Sequence, residues 1–338
     1  MITWLEKLCN AVGVGGLTQA ADIAADLLAP LTDEVWRDAL GNVCAVRRCG
    51  KEGAPTLLLE AHIDEIGLIV TSVDDKGFLR FDKCGGVDRR TLQAAPVVVW
   101  GEHPCAGVIC TTPPHLAGKD KELPELADMA IDVGLSKAEV EAVIRPGDRV
   151  SFAVDLTALA NGCVSGKALD DRAGVAAILF ALSELKDAPL TVDIAVCFAV
   201  QEELGCRGAG VAGFALKPDY CIVTDVSFAH TPDARADQCG VLGGGAMLGI
   251  SPILHRPLTK KLESLARQAD IPLQYEVMGG TTGTDADVIS IAGGGVRTAL
   301  LSIPLRYMHT PVELLDIADV KAVGRLMAAA AREGVEAL

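Results

Sequence analysis

Glu202 and Glu203 stand side by side after the apolar run Phe198-Ala199-Val200-Gln201. Adjacent carboxylates repel, and a chemical use for such a pair is division of labour: one ligates a cation while its free neighbour acts as general base and then general acid. His62-Ile63-Asp64 places an imidazole and a carboxylate two residues apart, on one face of an otherwise apolar strand, where the Asp can orient the ring. Lys167-Ala168-Leu169-Asp170-Asp171-Arg172 closes a loop and opens an Ala-rich helix. One of its aspartates suffices as cap, and the other is free to reach a metal or bridge two ions about 3.5–4 Å apart. Asp225 follows the run Tyr220 to Thr224, and His309 follows Thr298 to Met308. Thr310-Pro311-Val312-Glu313 reads as the cap, first residue and capping Glu of a helix, which pins the backbone at His309.

Singly, each of these is an ordinary cap or surface group. Together they put an ionisable residue at the end of four expected core strands, the edge where open α/β sheets hold ligands. Two imidazoles and several carboxylates gathered there would repel or desolvate one another unless a cation held them. Metal is the economical explanation.

The elements that position these residues alternate. Helices are expected over Met1–Ala11 and Thr18–Leu28, then strands over Asn42–Val46 and Thr56–His62. From about Val70 the texture changes to short strands and tight turns (77–81, 95–100, 106–111, 129–133, 149–154), with one capped helix at Ser136-Lys137-Ala138-Glu139 and a charged loop over 113–128. Alternation resumes after Gly166: helix 171–185, strand 191–200, strand 220–224, helix 259–269, strand 273–277, helix 285–291, strand 298–303 and a closing helix 317–333. This pattern implies an α/β fold, a mixed and mainly parallel sheet sandwiched by helices. The expected division is a discontinuous catalytic domain, 1–69 and 162–338, interrupted by a small β-barrel domain, 70–161.

Composition narrows the function classes. A net charge of −15 repels phosphate backbones and acidic lipid, so neither nucleic acid nor a membrane surface is an expected partner. No apolar run approaches the ~18–20 residues of a bilayer span, and the N-terminus has no export signal. Eleven cysteines without a C-x-x-C pair read as thiols in a reducing cytosol. Gly243–Gly245 and Gly293–Gly295 lack the strand and helix context of a phosphate cradle.

In order and spacing, Ala61-His62-Ile63-Asp64-Glu65-Ile66-Gly67, Lys167-Ala168-Leu169-Asp170-Asp171-Arg172-Ala173-Gly174, Val200-Gln201-Glu202-Glu203-Leu204-Gly205, Asp225-Val226 and Pro304-Leu305-Arg306-Tyr307-Met308-His309-Thr310-Pro311 resemble the dinuclear metallo-aminopeptidases. That family includes glutamyl aminopeptidase and the tetrahedral TET peptidases, some of them labelled endoglucanase-like. The resemblance spans nearly the whole chain and implies a zinc-peptidase α/β domain with an inserted barrel. It implies His62, Asp170 and Asp225 on one metal and Asp170, Glu203 and His309 on the other, with Asp170 as bridge. Glu202 would be the general base and acid, and Asp64 the residue orienting His62. Two divalent ions per subunit follow, zinc by preference with cobalt or manganese as replacements. Hydrolysis of N-terminal residues from peptides by a cytoplasmic homo-oligomer, commonly a dodecamer, completes the expectation.

The chain departs from the family pattern at His230, where relatives tend to carry Asp. It also departs at Gly243-Gly244-Gly245-Ala246 instead of Gly-Lys-Gly-Pro, and at Cys206 instead of Leu. Thr284 and Asp285 are the expected wall of the substrate pocket. Three alternatives use overlapping features: a dinuclear deacylase of N-acyl amino acids, a glycosidase, and a catalytically silent metal-binding assembly protein. Adjacent carboxylates do not readily flank a sugar bond across the ~5–9.5 Å that glycosidases need.

Overall fold

The computed structural model describes residues 1–113, 115–116 and 123–335, so part of the expected loop 113–128 lies outside the described residues. Strands β1 (Glu34–Arg37), β2 (Val43–Arg47) and β3 (Thr56–His62) come first; β4 (Gly67–Val73), β5 (Leu79–Cys84), β6 (Pro96–Trp100), β7 (Pro104–Cys110), β8 (Ala130–Asp132) and β9 (Arg149–Phe152) follow. Then come β10 (Thr157–Ala158), β11 (Cys163–Gly166), β12 (Asp193–Ala199), β13 (Tyr220–Phe228), β14 (Ala246–Ile250), β15 (Leu273–Val277), β16 (Arg297–Leu305) and β17 (Glu313–Asp316). The helices are α1 (Ile2–Asn10), α2 (Gln19–Leu28), α3 (Lys137–Val143), α4 (Leu169–Glu184), α5 (Arg207–Leu216), α6 (Arg256–Gln268), α7 (Ala286–Ile289) and α8 (Ile317–Glu333).

An eight-stranded sheet runs β1-β2-β12-β3-β13-β16-β14-β15, and β4-β5-β8-β7-β6-β9 close into a barrel. Strands β12, β3, β13 and β16 are mutually parallel, so their carboxyl ends share one edge. Because such strands are covered on both faces, they read as unbroken apolar runs. One face packs on α1, α2, α4, α6 and α8 through Leu8, Leu28, Ile178, Leu262 and Leu326; the other packs on α5 and α7 through Ala209, Ala212 and Ile289. The barrel encloses its own core of Leu68, Val70, Phe81, Val97, Ile131 and Phe152. Among the described residues, no helix is long and apolar enough to cross a membrane.

The face toward α5 grades from apolar to polar along each strand. Side chains alternate across a sheet, so Leu58, Glu60 and His62 share this face with Val223, Asp225 and Ser227 and with Leu300 and Ser302. Val223 sits opposite Glu60, and Asp225 opposite Ser302. The carboxyl edge therefore meets solvent with its ionisable groups clustered.

A buried ion triad ties this edge to the helices. Glu65 accepts from Lys167 Nζ at 2.8 Å, Arg172 Nη2 at 3.1 Å and the Gly13 amide at 2.8 Å. Arg172 Nη1 also donates to the Leu8 and Ala11 carbonyls at the end of α1, each at 2.5 Å. Every charge has a partner, the condition under which buried ions are tolerated.

The structure departs from the expected elements at several places. The residues after His309 form no helix: they turn directly into β17, which pairs with β11. The strand β4 starts at Gly67 and α5 was not anticipated.

Candidate metal centre

His62 ends β3 and is 2% exposed, walled in by the apolar strand that carries it. Its Nε2 lies 2.9 Å from Asp170 Oδ1 and 3.9 Å from Asp225 Oδ1. On the far side of Asp170, His309 Nε2 lies 3.5 Å from Oδ2 and 3.5 Å from Glu203 Oε1. The two oxygens of one carboxylate thus face two different imidazoles. His62 with Asp170 and Asp225, and Asp170 with Glu203 and His309, form sets whose ligand atoms lie within 4.8 Å of one another. All five expected metal-ligating side chains meet at the sheet edge.

These residues fit a divalent ion. Around a tetrahedral zinc with bonds of about 2.0–2.2 Å, neighbouring ligand atoms lie about 3.4 Å apart, and the four spacings here bracket that value. The His309 tautomer points the same way. Nδ1 donates to the Gly86 carbonyl at 3.0 Å, and a carbonyl only accepts, so in the neutral ring the lone pair sits on Nε2. That nitrogen faces two carboxylate oxygens, three acceptors that a cation among them would satisfy.

Crowding is visible in the ionisation. Burial, then the neighbouring Asp170, pushes Glu203 up to about 9. Burial likewise raises Glu202, and raises Asp225 well above the usual carboxylate range. His62 is pulled down by burial, but its bond to Asp170 and the nearby Asp64 carboxylate outweigh this and hold it well above the usual imidazole range. Each carboxylate opposes the ionisation of the next, a penalty that a cation relieves.

Asp64 serves both ends of the site. Its Oδ1 accepts from the Glu202 amide at 3.1 Å and its Oδ2 from the Glu203 amide at 3.3 Å, while Oδ1 stands 3.6 Å from His62 Nδ1. Glu202 and Glu203 follow Gln201, whose φ of 62° turns the chain sharply at the end of β12. Asp171 is the helix cap, accepting from the Gly174 amide at 3.0 Å, which leaves Asp170 to the cluster.

Glu313 does what the expected capping Glu would do, by another route. From the start of β17 its carboxylate accepts the His309 amide at 3.0 Å and the Asp170 amide at 3.1 Å, holding both backbones at once. His309 itself sits at φ 62°, a left-handed conformation uncommon outside glycine, and this bond helps to keep it there. Gly86 makes room for the ring: a methyl added there would lie 2.6 Å from His309 Cε1. Gly86→Ala is expected to displace the imidazole and lower metal affinity or activity by about 10–100-fold, as loss of an outer partner does; metal titration against wild type measures it.

Of the expected pocket wall, Thr284 lines the cleft, but Asp285 is a correction: it is 1% exposed and turned inward beside Glu60. None of the four oxygens of this pair has a hydrogen-bond partner in the structure, and burial and the Asp285 charge raise Glu60 well above its ordinary range. The thiol of Cys206 donates to Glu202 Oε1 at 3.4 Å. His230 lies outside the cluster, its amide bonded to the Gly240 carbonyl. Gly86 and the Glu65 triad have no role assigned from the sequence, although Glu65, Lys167 and Arg172 stand within the quoted motifs; Glu313 is expected there only as a helix cap.

A mixed α/β sheet presenting imidazoles and carboxylates at the carboxyl edge of its parallel strands defines a metal-dependent hydrolase. The chain belongs to the M42 glutamyl aminopeptidase family, whose pattern matches residues 41–326. It is 37% identical over 330 residues to the lysyl aminopeptidase of Pyrococcus furiosus, covering 95% of this chain and 94% of that one. Its fold superposes on aminopeptidase APDkam598 of the archaeon Desulfurococcus kamchatkensis with a TM-score of 0.93 at 35% identity, covering 99% and 95% of the two chains. The Pyrococcus horikoshii TET1 peptidase, described as able to assemble into a tetrahedron or a large octahedral shell, is similar with a TM-score of 0.86 at 34% identity over 98% and 99%. The protein is accordingly a metal-dependent aminopeptidase.

Proposed function

We propose that the centre holds two divalent ions, one by His62, Asp170 and Asp225 and the other by Asp170, Glu203 and His309, with Asp170 shared. The observation that carries this reading is the placement of the two Asp170 oxygens, 2.9 Å from His62 and 3.5 Å from His309. Bound there, such ions supply Lewis acidity for the scissile carbonyl and for the attacking water. Mixed imidazole and carboxylate donors suit zinc, with cobalt or manganese as substitutes.

Glu202 is the proton carrier. It belongs to none of the proposed ligand sets, it borders the cleft, and Asp64 fixes its backbone. As general base it takes a proton from water, and as general acid it returns that proton to the departing amine. Asp64 also orients His62 through Nδ1, so its role is positional. The substrates are peptides, shortened from the N-terminus.

The catalytic unit comprises the expected 1–69 and 162–338 less residues 67–69, which begin barrel strand β4, and the barrel unit contributes to assembly and to access; Gly86, from the barrel segment, touches His309. A homo-oligomer is supported by the likeness to the TET1 peptidase, and a dodecamer by the likeness to PhTET1-12s, described as a dodecamer in the asymmetric unit. Eleven unpaired thiols favour the reducing cytoplasm.

The test is a panel of amino-acid anilides, free and N-acylated, assayed with added zinc, cobalt or manganese. Cleavage confined to the free amines supports the aminopeptidase; cleavage confined to the acylated set supports the deacylase instead. Bound metal without hydrolysis of either set supports the silent assembly protein.

A further inference from the structure

The names of the relatives span lysyl and glutamyl aminopeptidases, so they do not decide which first residue this cleft accepts. The cleft itself is a cavity of about 550 Å³ that reaches from the cluster to Ser227, Phe228, Glu276, Ser302 and Met308. Glu276, on β15, is held there by two hydroxyls: Ser302 Oγ donates to Oε2 at 2.8 Å and Ser227 Oγ donates to Oε1.

Strand register puts this carboxylate beside the reacting centre. Ser302 is the cross-strand partner of Asp225, and Ser227 lies two residues beyond Asp225 on the same face. Directly opposite Glu276 the intervening strand β14 contributes Gly249, while Met247 stands opposite Ser302, so the Glu276 side chain reaches over the glycine position.

The charge on Glu276 has no counter-ion. No Lys, Arg or His nitrogen approaches it within ion-pair distance among the described residues, and neither Lys nor Arg lines the cleft. Two divalent ions would balance the carboxylates of Asp170, Glu202, Glu203 and Asp225; of the other two in the cleft, Asp287 accepts from the Thr282 and Gly283 amides, whereas Glu276 has only the two serine hydroxyls. The two serine hydroxyls occupy only two of its roughly four lone-pair positions. Phe228 and the partly buried Met308 add apolar wall, suited to the methylene stem of a long cationic side chain.

We propose that Glu276 is the specificity-determining group for a cationic first residue, so that the enzyme prefers peptides beginning with Lys or Arg. A neutral side chain forgoes the charge-assisted hydrogen bond, and an acidic one meets like charge. This inference rests on the aminopeptidase reading above.

Steady-state kinetics with Lys, Arg, Leu and Glu p-nitroanilides test it on the metal-loaded enzyme. A charge-assisted bond of about 1.5–3 kcal/mol corresponds to about 10–100-fold, so kcat/KM for Lys and Arg is expected to exceed that for Leu by this factor, with Glu lowest. In Glu276→Gln the ratio of Lys to Leu is expected to fall by about the same factor, chiefly through KM. Hydrolysis with Leu or Glu ahead of Lys in the wild type, or an unchanged ratio in Glu276→Gln, overturns this proposal while leaving the aminopeptidase reading intact. If none of the four anilides is cleaved under any metal, both fall.

Discussion

Asp170→Ala is expected to lose metal from both positions and, with it, all measurable peptide hydrolysis. Its oxygens face His62 on one side and His309 on the other, so truncation removes a ligand from each proposed ion. It also leaves Glu203 and Asp225 as neighbouring anions with one fewer shared cation contact. The loss of affinity should exceed the roughly 10–100-fold that deletion of an outer partner costs. His309→Ala is the control, because His309 approaches Asp170 and Glu203 but not Asp225: one ion should go and the other stay. Elemental analysis of the dialysed proteins separates the two outcomes. If Asp170→Ala keeps the stoichiometry of the wild type, Asp170 is not the bridge.

Glu202→Gln is expected to do the reverse, keeping both ions and losing turnover. The amide matches the carboxylate in shape, and the Glu202 backbone is fixed independently through Asp64. What it cannot do is carry a proton. General acid–base transfer contributes about 10²–10⁴-fold, and kcat should fall by that amount with KM little changed. A loss seen equally in KM would reassign Glu202 to substrate binding, and full turnover would remove it from the chemistry.

The parts of the fold that were legible are those in which burial and chain pattern coincide. Thr56–His62, Leu273–Val277 and Ile317–Glu333 match their strands and helix residue for residue. The α5 helix carries no clear signal in the sequence because Gly208, Gly210 and Gly213 blur its periodicity, and glycine lowers helix propensity. At Gly208 and Gly213 the packing explains the choice: a methyl would crowd the Val200 backbone at one and Ala292 at the other. The edge strand β1 is only partly buried, and β14 follows three glycines and contains Gly249, so neither shows a clear apolar alternation. After His309 the chain carries every local helix-start signal, yet pairing of β17 with β11 overrides them.

The site was legible because metal ligands must sit at strand ends, where sequence marks them as charges that interrupt apolar runs. What supports those ligands was not. The Gly86 carbonyl and the Glu313 carboxylate act on His309 through tertiary approach, from 223 residues away in the first case. Asp285, expected in the pocket wall, is instead buried beside Glu60, which only the packing shows.

The most direct test is anomalous diffraction at the zinc edge from crystals of the metal-loaded enzyme. Two peaks per subunit are expected, about 3.5–4 Å apart, one between His62 and Asp225, the other between Glu203 and His309, with an Asp170 oxygen on each. A single peak, or peaks that leave Asp170 without contact to either ion, would contradict the shared-carboxylate centre.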